Sequence, residues 1–205
     1  MTSRVSHCLL VAALAFLVLP SYGTAQAPRR PHQPDTPYRA AIRALNEGRY
    51  DDVDAMADKM DPRDPNAAAV KARAAIARGR YPQAEALLRP VAARVPSSEA
   101  ALELGLLQQM LGRPDATALL EKVAPLADTS DDPIEMARAG RALRALGRFH
   151  EANAAFRDAS RGAPNDAAIE TAFGELFLEK YDNVEALKSF QMALQMDPRW
   201  TAAPG

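Results

Sequence analysis

Residues 137–164 read ARAGRALRALGRFHEANAAFRDASRGAP, and this stretch decides the fold. Apolar and small residues recur every three to four positions on both sides of Gly147, which is the pattern of two amphipathic helices. Glycine at the junction supplies the positive φ that closes the first helix, and Pro164 stops the second. The stretch therefore predicts a helix, a tight turn and a second helix.

The same arrangement recurs along the chain. The phrase Gly-Arg-aromatic, with proline replacing the aromatic residue in the third copy, lies at residues 48–50, 79–81, 112–114 and 147–149. The helical stretch after each phrase ends near a proline, and Pro164 and Pro198 are 34 residues apart. One helix pair cannot bury its apolar face alone, whereas stacked pairs bury a continuous core. The period predicts such a stack.

This pattern resembles the tetratricopeptide repeat family, in which a small residue stands eight places into each unit, where two helices approach most closely. The residues at that place are Ala41, Ala72, Gly105, Gly140 and Gly174. The family's second helix carries Ala-x3-aromatic-x2-Ala, which residues 152–159 and 186–193 match. The resemblance implies an all-α fold, a right-handed α-solenoid of about five helix-turn-helix units. An irregular helical bundle is the alternative.

The predicted organisation divides the chain into four segments. They are a signal peptide at 1–25, a proline-rich linker at 26–36, the repeat array at 37–200 and a tail at 201–205. The units of the array are expected at about residues 34–64, 65–97, 98–131, 133–166 and 167–200.

The first segment is typical of a secretory signal. Arg4 is the only charged residue among the first 28, and the apolar run over residues 8–19 is shorter than the roughly 20 residues that span a bilayer. Cleavage is expected after Ala25 or Ala27, and we prefer Ala25 because the second site places Pro28 directly after the cut. An uncleaved anchor or a buried helix is the alternative. The segment predicts export, to a bacterial periplasm, with no stable membrane span in the mature form.

Composition favours helices and limits the partners. Alanine accounts for 43 of 205 residues, which favours helix, and 16 prolines exclude one long coiled coil. The balance of 25 basic against 26 acidic residues gives a net charge of −1, which argues against nucleic acid as a partner. Cys8 is the only cysteine, so a chain cleaved after the signal forms no disulfide.

Motifs for catalysis or cofactor binding are missing from the sequence. It has no His-Glu-x-x-His pair, no phosphate-binding glycine loop and no Gly-x-Ser-x-Gly turn. The acidic residues 128–132 lack the central glycine and closing glutamate of a calcium loop. Asp131 or Asp132 is expected instead to cap the helix that starts near Pro133. We therefore expect no enzyme activity, no metal and no cofactor.

Members of the resembled family bind peptides or protein segments on the concave side, which the first helix of each unit lines. The candidate residues on that side are Leu106, Gln109, Arg141, Arg144, Glu175 and Glu179. Arg141 and Arg144 could pair with a carboxylate of a bound chain. The alternatives are solvated arginines, or a bridge to Glu175 across the groove.

The end of the array predicts a second contact surface. Repeat arrays need a polar cap over the last apolar face, and no capping helix is expected after Pro198. Met192, Met196 and Trp200 are therefore expected to be partly exposed at a contact site, which a second copy could cover to form a homo-dimer.

The expected function is a non-enzymatic protein–protein interaction scaffold in the cell envelope. Its partner is a protein or peptide segment bound in the groove or at the terminal face. The alternative is a repeat module of a larger secreted enzyme or envelope-assembly complex, with catalysis elsewhere. A free-standing hydrolase is poorly supported, because the nucleophile and metal motifs are missing.

Overall fold

The structure, a computed structural model, describes residues 36–200, and these residues form eleven helices and no strand. In chain order they are α1 (Pro37–Asn46), α2 (Tyr50–Ala57), α3 (Pro65–Ala77), α4 (Tyr81–Arg94), α5 (Glu99–Met110), α6 (Ala116–Val123), α7 (Leu126–Thr129), α8 (Pro133–Ala145), α9 (Phe149–Gly162), α10 (Ala167–Glu179) and α11 (Asn183–Met196). They pack as five hairpins, α1/α2, α3/α4, α5/α6, α8/α9 and α10/α11, and each hairpin packs on the next. The prediction of an all-α solenoid built from five helix pairs is confirmed.

Three of the expected segments lie wholly or mostly outside the described residues. These are the signal peptide at 1–25, the tail at 201–205 and the linker at 26–36, of which only Thr36 is described. The Thr36 hydroxyl accepts a hydrogen bond from the N–H of Arg39 at 3.2 Å and so caps α1.

Turns of one geometry join the two helices of each pair. The turn residues with positive φ are Gly48, Gly79, Gly112, Gly147 and Tyr181. The residue after each of them donates its N–H to a carbonyl five residues back, as Arg148 does to Leu143 at 2.9 Å. This bond completes a Schellman motif, which is why glycine suits the turn. The glycine prediction is confirmed at four turns, whereas Tyr181 adopts a φ of 59° despite its side chain.

Side-chain caps fix where the first helix of each later pair begins. Asp132 accepts a hydrogen bond from the N–H of Ile134 at 2.7 Å, so one of the two aspartates expected to cap α8 does so. Ser98 caps α5 in the same way, Asp64 caps α3 and Asp166 caps α10.

The small residues eight places into the units lie where the two helices of a pair meet. A Cβ atom added at Gly140 would lie 2.9 Å from Cε1 of Phe156, and one at Gly174 would lie 2.6 Å from Cε1 of Phe190. Phe156 is fully buried. Each aromatic ring of the second helix therefore packs directly on the backbone of the first, which is the close approach that the sequence pattern predicts.

The apolar core passes from each pair into the next. The buried cluster of α1 and α2 includes Val70 of α3, the cluster of α3 to α6 reaches Ala142 of α8, and the cluster of α8 and α9 reaches Ile169 of α10. Helix α7, one turn in the junction between the third and fourth pairs, is not predicted by the sequence pattern. The shared clusters explain why no pair is a separate folding unit.

Candidate functional site

Helices α1, α3, α5, α8 and α10 are the first helices of the five pairs, and successive members contact each other. They line one side of the array, which we name the inner groove. At its centre Glu99 and Glu103, four residues apart on α5, are only 6% and 5% exposed. Arg141 of α8 donates from Nη1 to Glu99 at 2.5 Å and from Nη2 to Glu103 at 2.6 Å. Arg138 donates from Nε to the second oxygen of Glu99 at 3.1 Å.

The charges of this cluster stabilise each other. Burial by itself would raise the pKa of Glu99, but the guanidinium groups of Arg141 and Arg138 outweigh it and keep the pKa below its usual range. Burial would lower the pKa of Arg141, but Glu103 and Glu99 raise it. Arg141 therefore uses its donors on the chain's own carboxylates, which differs from its expected availability to a bound chain.

Tyr38 of α1 extends over this cluster. Burial, followed by the nearby charge of Glu99, raises the pKa of Tyr38 above its usual range. The phenol therefore stays neutral and lies close to the buried glutamates and arginines of α3, α5 and α8. Its ring packs against the apolar cluster of the first pair.

Arg144 lies one helical turn beyond Arg141 on α8, and its side chain contacts α10. It forms a hydrogen-bonded ion pair with Glu175, and its Nε is 3.3 Å from an Oε atom of Glu179. The side chains of Glu175 and Glu179 are 43% and 47% exposed. The bridge to Glu175 considered in the sequence analysis is therefore present, and this part of the groove is open to solvent.

Leu106 and Gln109 of α5 join their helix to its neighbours. Leu106 is half-buried against the cluster of α3 to α6. The side-chain amide of Gln109 donates to the carbonyl oxygen of Ala145, the last residue of α8, at 2.8 Å. Both side chains have partners within the chain.

The first and last pairs contact each other across the groove. Arg39 of α1 forms an ion pair with Asp166, the cap of α10. Arg43 lies 3.6 Å from the carboxylate of Asp197, just after α11. The indole N–H of Trp200 donates to the hydroxyl of Thr171 at 2.9 Å, and its ring packs against the cluster of the first pair.

The expected position of Trp200 is therefore wrong. The repeat pattern predicts it beside Met192 and Met196 on the last apolar face, but it lies inside the groove between α1 and α10. The chain turns back after α11, because the N–H of Trp200 donates to the carbonyl of Asp197 at 2.9 Å. This turn directs the indole away from the face that continues the stack.

The last pair presents an exposed apolar surface, which we name the terminal face. Its members on α10 and α11 are Leu178, Val184, Leu187 and Leu194, with exposures between 49% and 65%. Met192 is also exposed, whereas Met196 is half-buried. Side chains of this size in solvent are typical of a contact surface.

Within residues 36–200, no group of three or more histidine, cysteine, aspartate or glutamate side chains could bind a metal ion. The helices of that same range are all too short or too polar to cross a membrane.

The sequence pattern indicates the inner positions of α8 and α10 and allows the bridge from Arg144 to Glu175, but it does not identify Glu99 and Glu103 as the partners of Arg141. Glu99 and Glu103 gave one signal, since two carboxylates four residues apart in an apolar helix require cations nearby. The sequence gave no signal for the pairing of Arg39 with Asp166, because the two residues are 127 positions apart.

The similarity to known proteins lies in the repeat region. A family model described as tetratricopeptide repeat matches residues 70–133 and 138–199, more than half of the chain. No curated protein matches significantly by sequence.

Among solved structures, the chain is similar to a thermophilic TPR protein of Thermus thermophilus, with 22% identity, 79% of this chain and 90% of that chain covered, and a TM-score of 0.54. MamA of MSR-1 is 29% identical over 79% of this chain and 95% of its own, with a TM-score of 0.37. MamA 41-end from Desulfovibrio magneticus RS-1 is 18% identical over 78% and 93%, with a TM-score of 0.41.

Proposed function

Since the chain belongs to the tetratricopeptide repeat family, we propose that it is a non-catalytic scaffold of the cell envelope that binds another protein through its terminal face. The family and the stacked helix pairs support protein binding in general. The choice of surface rests on one observation, the exposed apolar side chains of α10 and α11.

These side chains are specific to the last pair. The residues 34 positions before Val184, Leu187 and Leu194 are His150, Asn153 and Ser160 of α9. The equivalent positions of α9 are therefore polar: Ser160 hydrogen-bonds to Glu170 of α10, Asn153 is half-buried and His150 is exposed. Large aliphatic residues at the same positions of α11 cost solubility unless another surface covers them. Because the earlier unit has polar residues at these positions, the repeat pattern alone does not explain the apolar residues of α11. The contrast therefore favours a contact surface.

The inner groove supports partner binding less directly. Arg141 is paired with Glu99 and Glu103, and Tyr38 and Trp200 fill part of the space. The carboxylates of Glu175 and Glu179, 43% and 47% exposed, are already paired with Arg144. Within residues 36–200, by contrast, the side chains of the terminal face on α10 and α11 are exposed to solvent.

The envelope location is part of the proposal. It rests on the N-terminal segment with its apolar run at residues 8–19 and the expected cleavage after Ala25. Cell fractionation followed by N-terminal sequencing of the mature chain tests it. A chain that keeps its first 25 residues in the cytoplasmic fraction contradicts it.

The binding proposal is tested by placing a photo-crosslinking amino acid at Val184 in cells of the native host. Ala154, exposed on α9, is the matched control position. We expect a covalent adduct from position 184 and none from position 154, and the adduct's mass identifies either another protein or a second copy. Equal crosslinking at the two positions, or none at either, overturns the proposal.

A further inference from the structure

We propose that the space filled by Trp200 in the inner groove is a binding subsite for a protein segment that carries a tryptophan three residues after a carboxylate. Residues 197–200 of the chain, Asp-Pro-Arg-Trp, occupy it as an exchangeable internal ligand. The inference rests on the proposed function, since it adds a second, more selective contact to the same scaffold.

The segment follows α11 directly, and its first residue, Asp197, caps that helix by donating its N–H to the carbonyl of Ala193 at 3.0 Å. Helix α11 ends at Met196, and the segment's internal hydrogen bonds are those of one turn, from the N–H of Arg199 to the Asp197 side chain and from the N–H of Trp200 to the Asp197 carbonyl. Pro198 and Arg199 are exposed. Beyond that cap, the contacts of the segment with the groove are made by the side chains of its two end residues, Asp197 and Trp200.

The groove provides a prepared partner for the indole. The Thr171 hydroxyl is buried and donates its own hydrogen to the carbonyl of Ala167 at 2.8 Å. Its oxygen lone pairs are thereby oriented to accept from an incoming N–H, and the indole Nε1 of Trp200 lies at 2.9 Å. A phenylalanine could fill the same space but has no proton to donate, so the subsite selects tryptophan.

The other contacts match the rest of the segment. The indole ring packs on the cluster of the first pair, which includes Ile42 and Leu45. The carboxylate of Asp197 lies 3.6 Å from Nε of Arg43. Each of these groups belongs to α1 or α10, so the framework helices form the subsite and the segment only fills it.

The tether makes the internal segment a strong competitor. A short flexible connection gives an effective concentration of about 1 mM. A free peptide that binds the empty subsite with a Kd of about 100 µM would then bind the occupied chain about tenfold more weakly. A partner displaces the segment only if it binds additional surface, such as the terminal face.

The test uses a fluorescein-labelled peptide of residues 196–205 as the probe, with fluorescence anisotropy on the chain purified from exporting cells. We expect the Trp200→Ala chain to bind the probe about tenfold more tightly than the unchanged chain. A probe with alanine in place of its tryptophan should lose that affinity. The proposal is overturned if the probe binds the two chains equally, or if the Trp200→Ala chain binds the two probes equally.

A second substitution separates the subsite from a general effect of Trp200. In the Trp200→Ala chain, Thr171→Val should weaken probe binding about threefold to tenfold, the range for one lost hydrogen bond. Thr117→Val, at an exposed position of α6, is the matched control and should change nothing. Equal effects of the two substitutions contradict the assigned role of Thr171.

If Trp200→Ala fails to fold, the intact chain answers the same question, because Trp200 is its only tryptophan. Thr171→Val should then increase acrylamide quenching of the indole, while Thr117→Val should not. Unchanged quenching overturns the proposal. Where Trp200→Ala does fold, light scattering compares the two chains: an unchanged chain that is dimeric, and becomes monomeric with Trp200→Ala, supports the subsite with a second copy's segment as the occupant. Because crosslinking at Val184 probes a different surface, failure of one proposal is distinguishable from failure of the other.

Discussion

Two arginines one turn apart on α8 should differ sharply in their importance for stability. Arg141 neutralises Glu99 and Glu103, whose side chains are 7% and 6% exposed. Removing one partner of a buried pair costs about 3–5 kcal/mol. Arg138 still pairs with Glu99, and Arg73 lies 3.9 Å from Glu103, so Arg141→Ala should lower the free energy of unfolding by about 3 kcal/mol, the lower end of that range.

Arg144→Ala is the matched control, because its partners are largely in solvent and such pairs contribute about 0–1 kcal/mol. Urea unfolding followed by circular dichroism measures both variants. With an m-value near 2 kcal/mol/M, Arg141→Ala should shift the midpoint by about 1.5 M and Arg144→Ala by less than about 0.5 M. Equal shifts for the two variants would refute the inference that burial decides the strength of these ion pairs.

The same cluster predicts a pH dependence. The pKa of Glu99 is lowered in the folded chain, so its contribution is present above the unfolded-state pKa of about 4.3 and is lost as the pH falls through the folded-state value. Arg141→Ala removes the nearest guanidinium, which raises the pKa of Glu99 in the folded state. The difference in stability between the two chains should therefore shrink from pH 7 to pH 3 in parallel urea series. A constant difference contradicts this assignment.

Three further variants test the packing, one turn and the terminal face. Gly140→Ala should cost about 1–2 kcal/mol in urea unfolding despite a better helix propensity, because Phe156 is buried 2.9 Å from the new Cβ; a gain in stability would show that the ring moves freely. Tyr181→Gly should raise the free energy of unfolding by about 1 kcal/mol, since the side chain is 91% exposed and its φ is positive; a lower melting temperature would contradict it. Leu187→Lys combined with Leu194→Lys should change the stability by less than about 0.5 kcal/mol and abolish crosslinking from Val184; retained crosslinking would separate the partner from the terminal face.

The helix pairs were predictable because their signals are local. A glycine turn, a small residue opposite a large one and a closing proline lie within about 34 residues, and each reflects one contact inside a pair. Tyr181 shows the limit of this logic, because its turn has the same geometry as the others without the glycine. The 34-residue period places a turn there, 34 positions after Gly147, but the residue type gives no sign of the positive φ.

The candidate site was only partly predictable. The positions of Arg141, Arg144 and Glu175 on the inner groove follow from helical spacing, but their pairing depends on which helices face each other. The position of Trp200 depends on the curvature of the whole stack, which is the sum of small rotations at each junction. No local pattern encodes that sum, so the contact between the first and last pairs appears only in three dimensions.

That contact should also change how the protein unfolds. A linear stack whose units touch only their neighbours frays from its ends, and its stability is a sum of local terms. Here Arg39 with Asp166, and Trp200 with Thr171, join the two ends, so opening either end requires breaking bonds to the other. Amide hydrogen exchange in α1 and α10 should therefore be as slow as in α5, and unfolding should follow one cooperative transition. The long sequence separation of these contacts should slow folding compared with open stacks of equal length, so the chain gains cooperativity at the expense of speed.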